Sequence, residues 1–378
     1  MKIAILGKWP EGKLFGGVDN HTACLVKSLS KQKGINLHVI SFGSLSKHFK
    51  EGNAEIVLIK SRKIYYLLPF LALIRLFLEI HKIKPDLIHV QGMTLSPYIL
   101  LAGLLKNRYP TMVMILGIVS RETKFEDDTN NVWNFLNRLS EKYFALKIQN
   151  LVVETLLIKN VVETLTDSKI YVVSSGIENS KIQEIKHIAF GQSSDIFVAS
   201  RLEKLKGIDI LIEAIPAVKK SIPALKVSIA GAGSYEDELK NLVEKLNLKN
   251  NVRFVGYIYG DEKYQYYKAC KLVVVPTRWD CQPFPIFEAA ACGIPVIVSD
   301  MANEAFVVDG KTGLKFKSDD AEELSNKILL LLKDDKLREQ MGRAAKLRAQ
   351  KFDWDVTAKN YVLVYKDIIS NFITKKHK

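Results

Sequence analysis

Cysteine is scarce in this chain: Cys24, Cys270, Cys281 and Cys292 are the only four in 378 residues, and none stands in C-x-x-C spacing. No histidine cluster accompanies them, so neither a zinc site nor a disulfide framework is indicated. A reducing cytoplasm is the expected compartment. No apolar run is long enough to span a bilayer. The N-terminal MKIAILGKWP reads as a first strand and lacks the apolar length of a signal peptide. The glycine-rich first turn (Gly7, Gly12, Gly16, Gly17) lacks G-x-G-x-x-G, which weakens a dinucleotide-dependent dehydrogenase reading. Low-complexity segments are absent too, and nothing calls for a metal or a cofactor.

What is present is apolar and alternating. Hydrophobic residues make up 48% of the chain, and 378 residues are too many for one ordinary core. Strand-like runs at 2–6, 37–41, 55–59, 87–90, 112–116, 151–154 and 170–173 are mostly separated by helical patterns. A second series follows at 196–200, 226–230, 252–255, 272–275 and 296–298. From Asp320 the chain reads as helix to its end. Such alternation predicts an α/β protein of two doubly wound, Rossmann-like halves. The expected domains are 1–180 and 191–355, with a last helix over 356–378 and an irregular linker around 178–194.

The formal net charge is +14, from 55 basic and 41 acidic residues. No nucleic-acid-binding motif goes with it, so nucleic acid is not an expected partner. The stretch 60–84 is more specific. It combines Arg62, Lys63, Arg75, Lys82 and Lys84 with Tyr65, Tyr66, Phe70 and Phe77, and is interrupted by Pro69. Two readings stay open: a surface-lying segment on an anionic membrane, or a helix packing its apolar face on a sheet.

Two segments carry chemistry. In Pro276–Asp300, PTRWDCQPFPIFEAAACGIPVIVSD, Pro285 suits the first turn of a helix over 286–292 and Gly293 its stop. A helix start aimed at a ligand offers amides to a phosphate. Glu288 lies one turn in, placed to accept from two adjacent hydroxyls, with Asp280 across the loop. Upstream, a strand runs into Ser200-Arg201, and Lys206-Gly207 leads into a helix over 209–218. An arginine fork and a mobile lysine charge suit phosphate oxygens.

Together, Arg201-Leu202…Lys206-Gly207, Gly231-Ala-Gly233 and Asp280…Glu288-Ala…Gly293-Ile-Pro295-Val296 resemble the signature of the retaining nucleotide-sugar glycosyltransferases of family 4, which have the GT-B fold. The resemblance implies two Rossmann-like domains facing a central cleft, with a final helix crossing back to the N-terminal one. It implies donor diphosphate binding by Arg201 and Lys206, ribose binding by Glu288, sugar contact by Asp280, and a donor-facing loop at Gly16 and Gly17. Arg201, Lys206 and Asp280 are the expected catalytic residues. Gly231, Gly233, Tyr257, Phe284, Pro285 and Ile286 complete the expected donor-binding set, with no metal. The acceptor would be a saccharide or lipid-linked saccharide, placing the protein in the cytoplasm or on the inner membrane face. Two rivals are a nucleotide-sugar epimerase of the same fold and a non-catalytic scaffold. The sequence departs from the family at Leu116, where a sugar-contacting histidine is usual, and at Asp280, shortened from glutamate. His21 and His89 are the candidate substitutes for that histidine.

Overall fold

The computed structural model describes residues 1–11, 17–60, 69–92, 96–122, 124, 131–143, 145–185, 193–302 and 305–376. The chain divides into two compact units, Met1–Gly176 with Trp354–Lys378, and Ile177–Asp353.

Among the described residues, the first unit has eight strands: β1 (Lys2–Leu6), β2 (Asn36–Gly43), β3 (Lys47–Glu51), β4 (Ala54–Lys60), β5 (Leu87–Gln91), β6 (Thr111–Ile115), β7 (Asn150–Val153) and β8 (Lys169–Val172). They lie in the order β3-β4-β2-β1-β5-β6-β7-β8. All pair parallel except β3, which folds back antiparallel on β4. Ile3, Ala4, Ile5 and Leu6 are all fully buried, as a strand covered on both faces requires. The edge strand β3, sequence KHFKE, was not expected, because it has no buried residue to set a period. Its lysines and exposure suit a sheet edge that must not recruit another strand.

The second unit has β9 (Ser194–Ala199), β10 (Val227–Ala230), β11 (Val252–Gly256), β12 (Cys270–Val275), β13 (Val296–Ser299) and β14 (Gly313–Phe316), in the order β11-β10-β9-β12-β13-β14. All pairings are parallel. Side chains alternate between two cores: Ile196 and Val198 enter one with Leu272, Val274 and Ile297, while Phe197 enters the other with Val273, Val275 and Val298. The four-residue β14 also escaped the sequence pattern, being too short to show a period.

The order reverses once in each unit. In the first, chain progress turns from the β2 side to the β5 side of β1; in the second, it turns from the β10 side to the β12 side of β9. Loops leaving the carboxyl ends of the two strands at such a reversal frame the crevice where open α/β sheets bind ligands.

The expected linker needs correction. Ile177 is buried in the second unit's core, and Asn179–Glu184 is a helix with Ile182 fully buried. Ile177 donates its amide to Phe352 O at 2.7 Å and bridges Asp353. The two chain crossings between units thus lie side by side, at 176–177 and 353–354. A six-residue helix with one apolar anchor leaves no pattern to read. The helical tail is also broken, into Ala321–Lys333, Asp335–Ala349 and Trp354–Lys376. The last of these belongs to the first unit, where Tyr361 and Tyr365 are fully buried.

Candidate functional site

The reversal between β9 and β12 brings together several of the candidate residues. The loop after β9 carries Arg201 and the 3-10 turn Lys204–Lys206; the loop after β12 carries Pro276 to Gln282. Lys206 Nζ and Asp280 Oδ2 form an ion pair at 2.5 Å, with both side chains mostly buried. Two residues predicted from separate motifs therefore meet directly. Arg201 does not join them; its guanidinium reaches Glu203 at 2.7 Å and is 56% exposed.

An arginine not anticipated from the sequence holds the two loops together. Arg278 makes a bidentate pair with Asp209, at 2.9 and 2.8 Å, and donates to Lys204 O at 2.6 Å and to Asp319 at 2.7 Å. Its amide and the Thr277 hydroxyl both donate to Leu205 O. Backbone meets backbone here: a Cβ on Gly207, whose φ is +63°, would stand 2.0 Å from Pro276 O. A planar guanidinium fork suits this multidentate clamp better than an ammonium.

Gly231 and Gly233 have a packing reason of their own. Leu202 donates to Ala232 O at 3.0 Å, and Tyr235 donates to Leu202 O at 2.9 Å. A Cβ at Gly231 would fall 1.8 Å from Ser200 O, and one at Gly233 would fall 2.2 Å from Leu202 O. Both glycines let the loop after β10 press on the loop that carries Arg201. Tyr257, just past the end of β11, is 39% exposed and packs on Tyr259 at 4.5 Å.

The helix predicted over 286–292 runs instead over Phe284–Ala291, with Pro283 as its N-cap residue. Pro283 and Pro285 have no N–H, and Ile286 N–H donates to Pro283 O at 3.2 Å. This helix start is a poorer anion seat than the sequence reading expected.

Glu288 is buried on this helix and doubly held. Lys263 pairs with Oε1, and the Tyr267 hydroxyl donates to Oε2 at 2.9 Å. Burial, together with the adjacent Glu288 charge, pushes the Tyr267 phenol well above its usual range, so it stays a donor. Lys263 and Tyr267 were missed; their one signal is the i,i+4 spacing on the helix Glu262–Lys268.

At the first unit's reversal the polar groups turn inward. His89, on β5, is fully buried, bonded to the Tyr365 hydroxyl at 2.8 Å and stacked on Tyr361. His21 is fully buried edge-on to Trp354 at 5.1 Å. Desolvation lowers both imidazoles from 6.5 to about 3. Neither presents its ring to solvent, as contact with a donor sugar would require. Gly17 opens the helix Gly17–Leu29, while Gly16 lies outside the described residues.

Comparison with known proteins gives two consecutive family matches: glycosyltransferase family 4 over residues 15–181, and glycosyl transferases group 1 over residues 179–348. The chain belongs to the group 1, family 4 glycosyltransferases. An uncharacterized glycosyltransferase of Methanocaldococcus jannaschii is 26% identical over 93% of this chain and 95% of its own. An alpha-monoglucosyldiacylglycerol synthase of Acholeplasma laidlawii is 25% identical over 79% of this chain and 80% of its own. The fold of this glycosyltransferase is GT-B. Sucrose-phosphate synthase of Thermosynechococcus elongatus superposes with a TM-score of 0.83 at 18% identity, covering 98% of this chain and 99% of its own. HepE of Anabaena, in complex with UDP-glucose, superposes at 0.74 and 18% identity, covering 97% of this chain and 100% of its own.

Proposed function

We propose that this glycosyltransferase moves a sugar from a nucleotide-diphosphate donor to a saccharide or lipid-linked saccharide with retention of anomeric configuration. The observation that carries the reading is the Lys206–Asp280 ion pair in the loops leaving the β9–β12 reversal, with the buried carboxylate of Glu288 on the helix that follows the second loop. In this reading Lys206 leaves Asp280 for the donor diphosphate. Asp280 turns to the sugar, and Glu288 accepts the ribose diol. Arg201 swings from Glu203 to the phosphates. A cation already in place where charge builds on the leaving group is commonly the largest catalytic contribution. The acceptor oxygen bonds the anomeric carbon on the face from which the diphosphate departs. The broken glycosyl–phosphate bond leaves its electron pair on the diphosphate, which takes the acceptor's proton. No resident metal enters this scheme.

Support for the donor class comes from HepE, whose structure contains UDP-glucose. Support for a lipid-linked acceptor comes from the Acholeplasma relative, named for a glycolipid product. The helix Pro69–Ile83 adds to it. Ala72, Leu76 and Ile80 are buried, whereas Ile74, Phe77 and Leu78 are exposed beside Arg75 and Lys82. The basic and aromatic residues 61–68 lie outside the described part, and no described helix is long and apolar enough to cross a membrane.

The test is titration with UDP, GDP, ADP and CDP, then turnover with sugars on the tightest-binding nucleotide, the product anomer being assigned by NMR. Inverted product, or complete loss of activity on EDTA treatment, refutes the mechanism. An epimer with no glycoside formed refutes the transfer. Binding without turnover of any donor favours the scaffold reading, which the inward-turned histidines support. Sedimentation with anionic and neutral vesicles tests the membrane role; equal partitioning, or none at low salt, returns the helix to sheet packing.

A further inference from the structure

The helix Glu262–Lys268 serves a purpose that sheet packing does not require. Lys263 and Tyr267 stand one turn apart and both reach Glu288, one on each carboxylate oxygen. An ionised carboxylate offers about four acceptor lone pairs, two on each oxygen. Occupying one on each leaves one on each, side by side, which is the pattern that two vicinal hydroxyls fill. Although Glu288 is buried, 9% of its side chain remains accessible. Lys263 is itself fixed over the Tyr264 ring at 5.0 Å, and the fully buried Tyr267 packs edge-on to Phe197 at 5.1 Å. Both donors are therefore held before any ligand arrives.

We propose that Lys263 and Tyr267 are positioning residues that aim the two remaining lone pairs of Glu288 at the 2′ and 3′ hydroxyls of the donor ribose. The proposal rests on the reading of Glu288 as the ribose acceptor. It makes these residues the source of discrimination between ribose and 2′-deoxyribose donors. A purely structural role, pinning the helix Glu262–Lys268 to the helix Phe284–Ala291, has a different consequence. Breaking that pin would weaken both nucleotides alike.

Calorimetric titration of the full chain separates the two. The probes are whichever of UDP, GDP, ADP and CDP binds tightest, and its 2′-deoxy counterpart. Wild type should prefer the ribonucleotide. Lys263→Met should weaken the ribonucleotide about tenfold, the scale of a lost charge-assisted contact. It should leave the deoxynucleotide within about twofold. Lys263→Arg should restore most of the preference, and Tyr267→Phe should lower it by a smaller factor. Equal losses for both nucleotides, or an unchanged preference in both Lys263→Met and Tyr267→Phe, would overturn the positioning role while leaving Glu288 as a donor contact. If wild type binds none of the four nucleotides, the donor-site reading fails first and this proposal with it. Melting curves of each variant show that folded protein is compared.

Discussion

The two units repeat one architecture and use its reversal point in opposite ways. Between β9 and β12 the loops hold charges paired with one another: Lys206 against Asp280, and Arg278 clamping Asp209 and Asp319. Between β1 and β5 the groups that could have done chemistry point into the core, where His89 meets Tyr365 and His21 meets Trp354. The glycines differ in the same sense. Gly231 is pressed on a neighbouring carbonyl, whereas Gly92, also at positive φ, has nothing within 4 Å of its would-be Cβ. A shared fold sets where a ligand can bind; the loops and their contacts decide whether that place is charged, tight or open.

The largest expected contrast is in acid. A histidine held neutral by burial keeps its full stability contribution above its unfolded pKa of 6.5. That contribution is lost as pH falls toward the folded value of about 3. At about 1.4 kcal/mol per pH unit, pH 5 costs about 2 kcal/mol for each of His21 and His89. Hydrogen exchange at pH 7 and pH 5 should therefore show the first unit loosening before the second, around β5 and the helix Trp354–Lys376. Equal loosening of β9 and β12 would break the contrast.

A single methyl group probes the glycines. Gly231→Ala should destabilise by about 3 kcal/mol or more, since the loop must move as well as adopt a strained φ. Gly92→Ala meets only strain and should cost about 1 kcal/mol. Chemical denaturation of the two variants measures the difference, and similar values would mean the loop against Ser200 is not rigid.

Activity ranks next. Lys206→Ala should lower turnover by about 1.5–3 kcal/mol in transition-state stabilisation. Turnover within twofold of wild type would remove Lys206 from the leaving-group site. The smallest effect expected is at its partner. Asp280→Asn frees Lys206 from a pair worth about 1 kcal/mol, so nucleoside diphosphate should bind about fivefold tighter while sugar transfer falls. Weaker nucleotide binding in this variant would show that Asp280 serves the nucleotide rather than competing for Lys206.

Much of this was legible in residue order. Continuous apolar runs such as Ile3-Ala-Ile-Leu6 and Leu272-Val-Val-Val275 announce parallel strands, because a strand buried on both faces admits no polar alternation. The motif around Lys206, Asp280 and Glu288 stood out for the same local reason: few other demands place those residues next to those glycines and prolines. What pattern could not supply was anything carried by contact between distant segments. The strand β3 and the helix Asn179–Glu184 have too few buried residues to leave a period. The helix amides at Phe284–Ala291 looked available until Pro283 and the Ile286 bond were placed. Arg278, Lys263 and Tyr267 matter only because folding brings them to Asp209, Lys204 and Glu288, up to 74 positions away. The inward turn of His21 and His89 depends on a helix from the far end of the chain. Sequence by itself determined the fold class and the charged loops, because periodicity and local turns are written in neighbours. Which charges pair, which amides remain and which imidazoles are desolvated was decided by tertiary structure alone, because those energies depend on distance and burial.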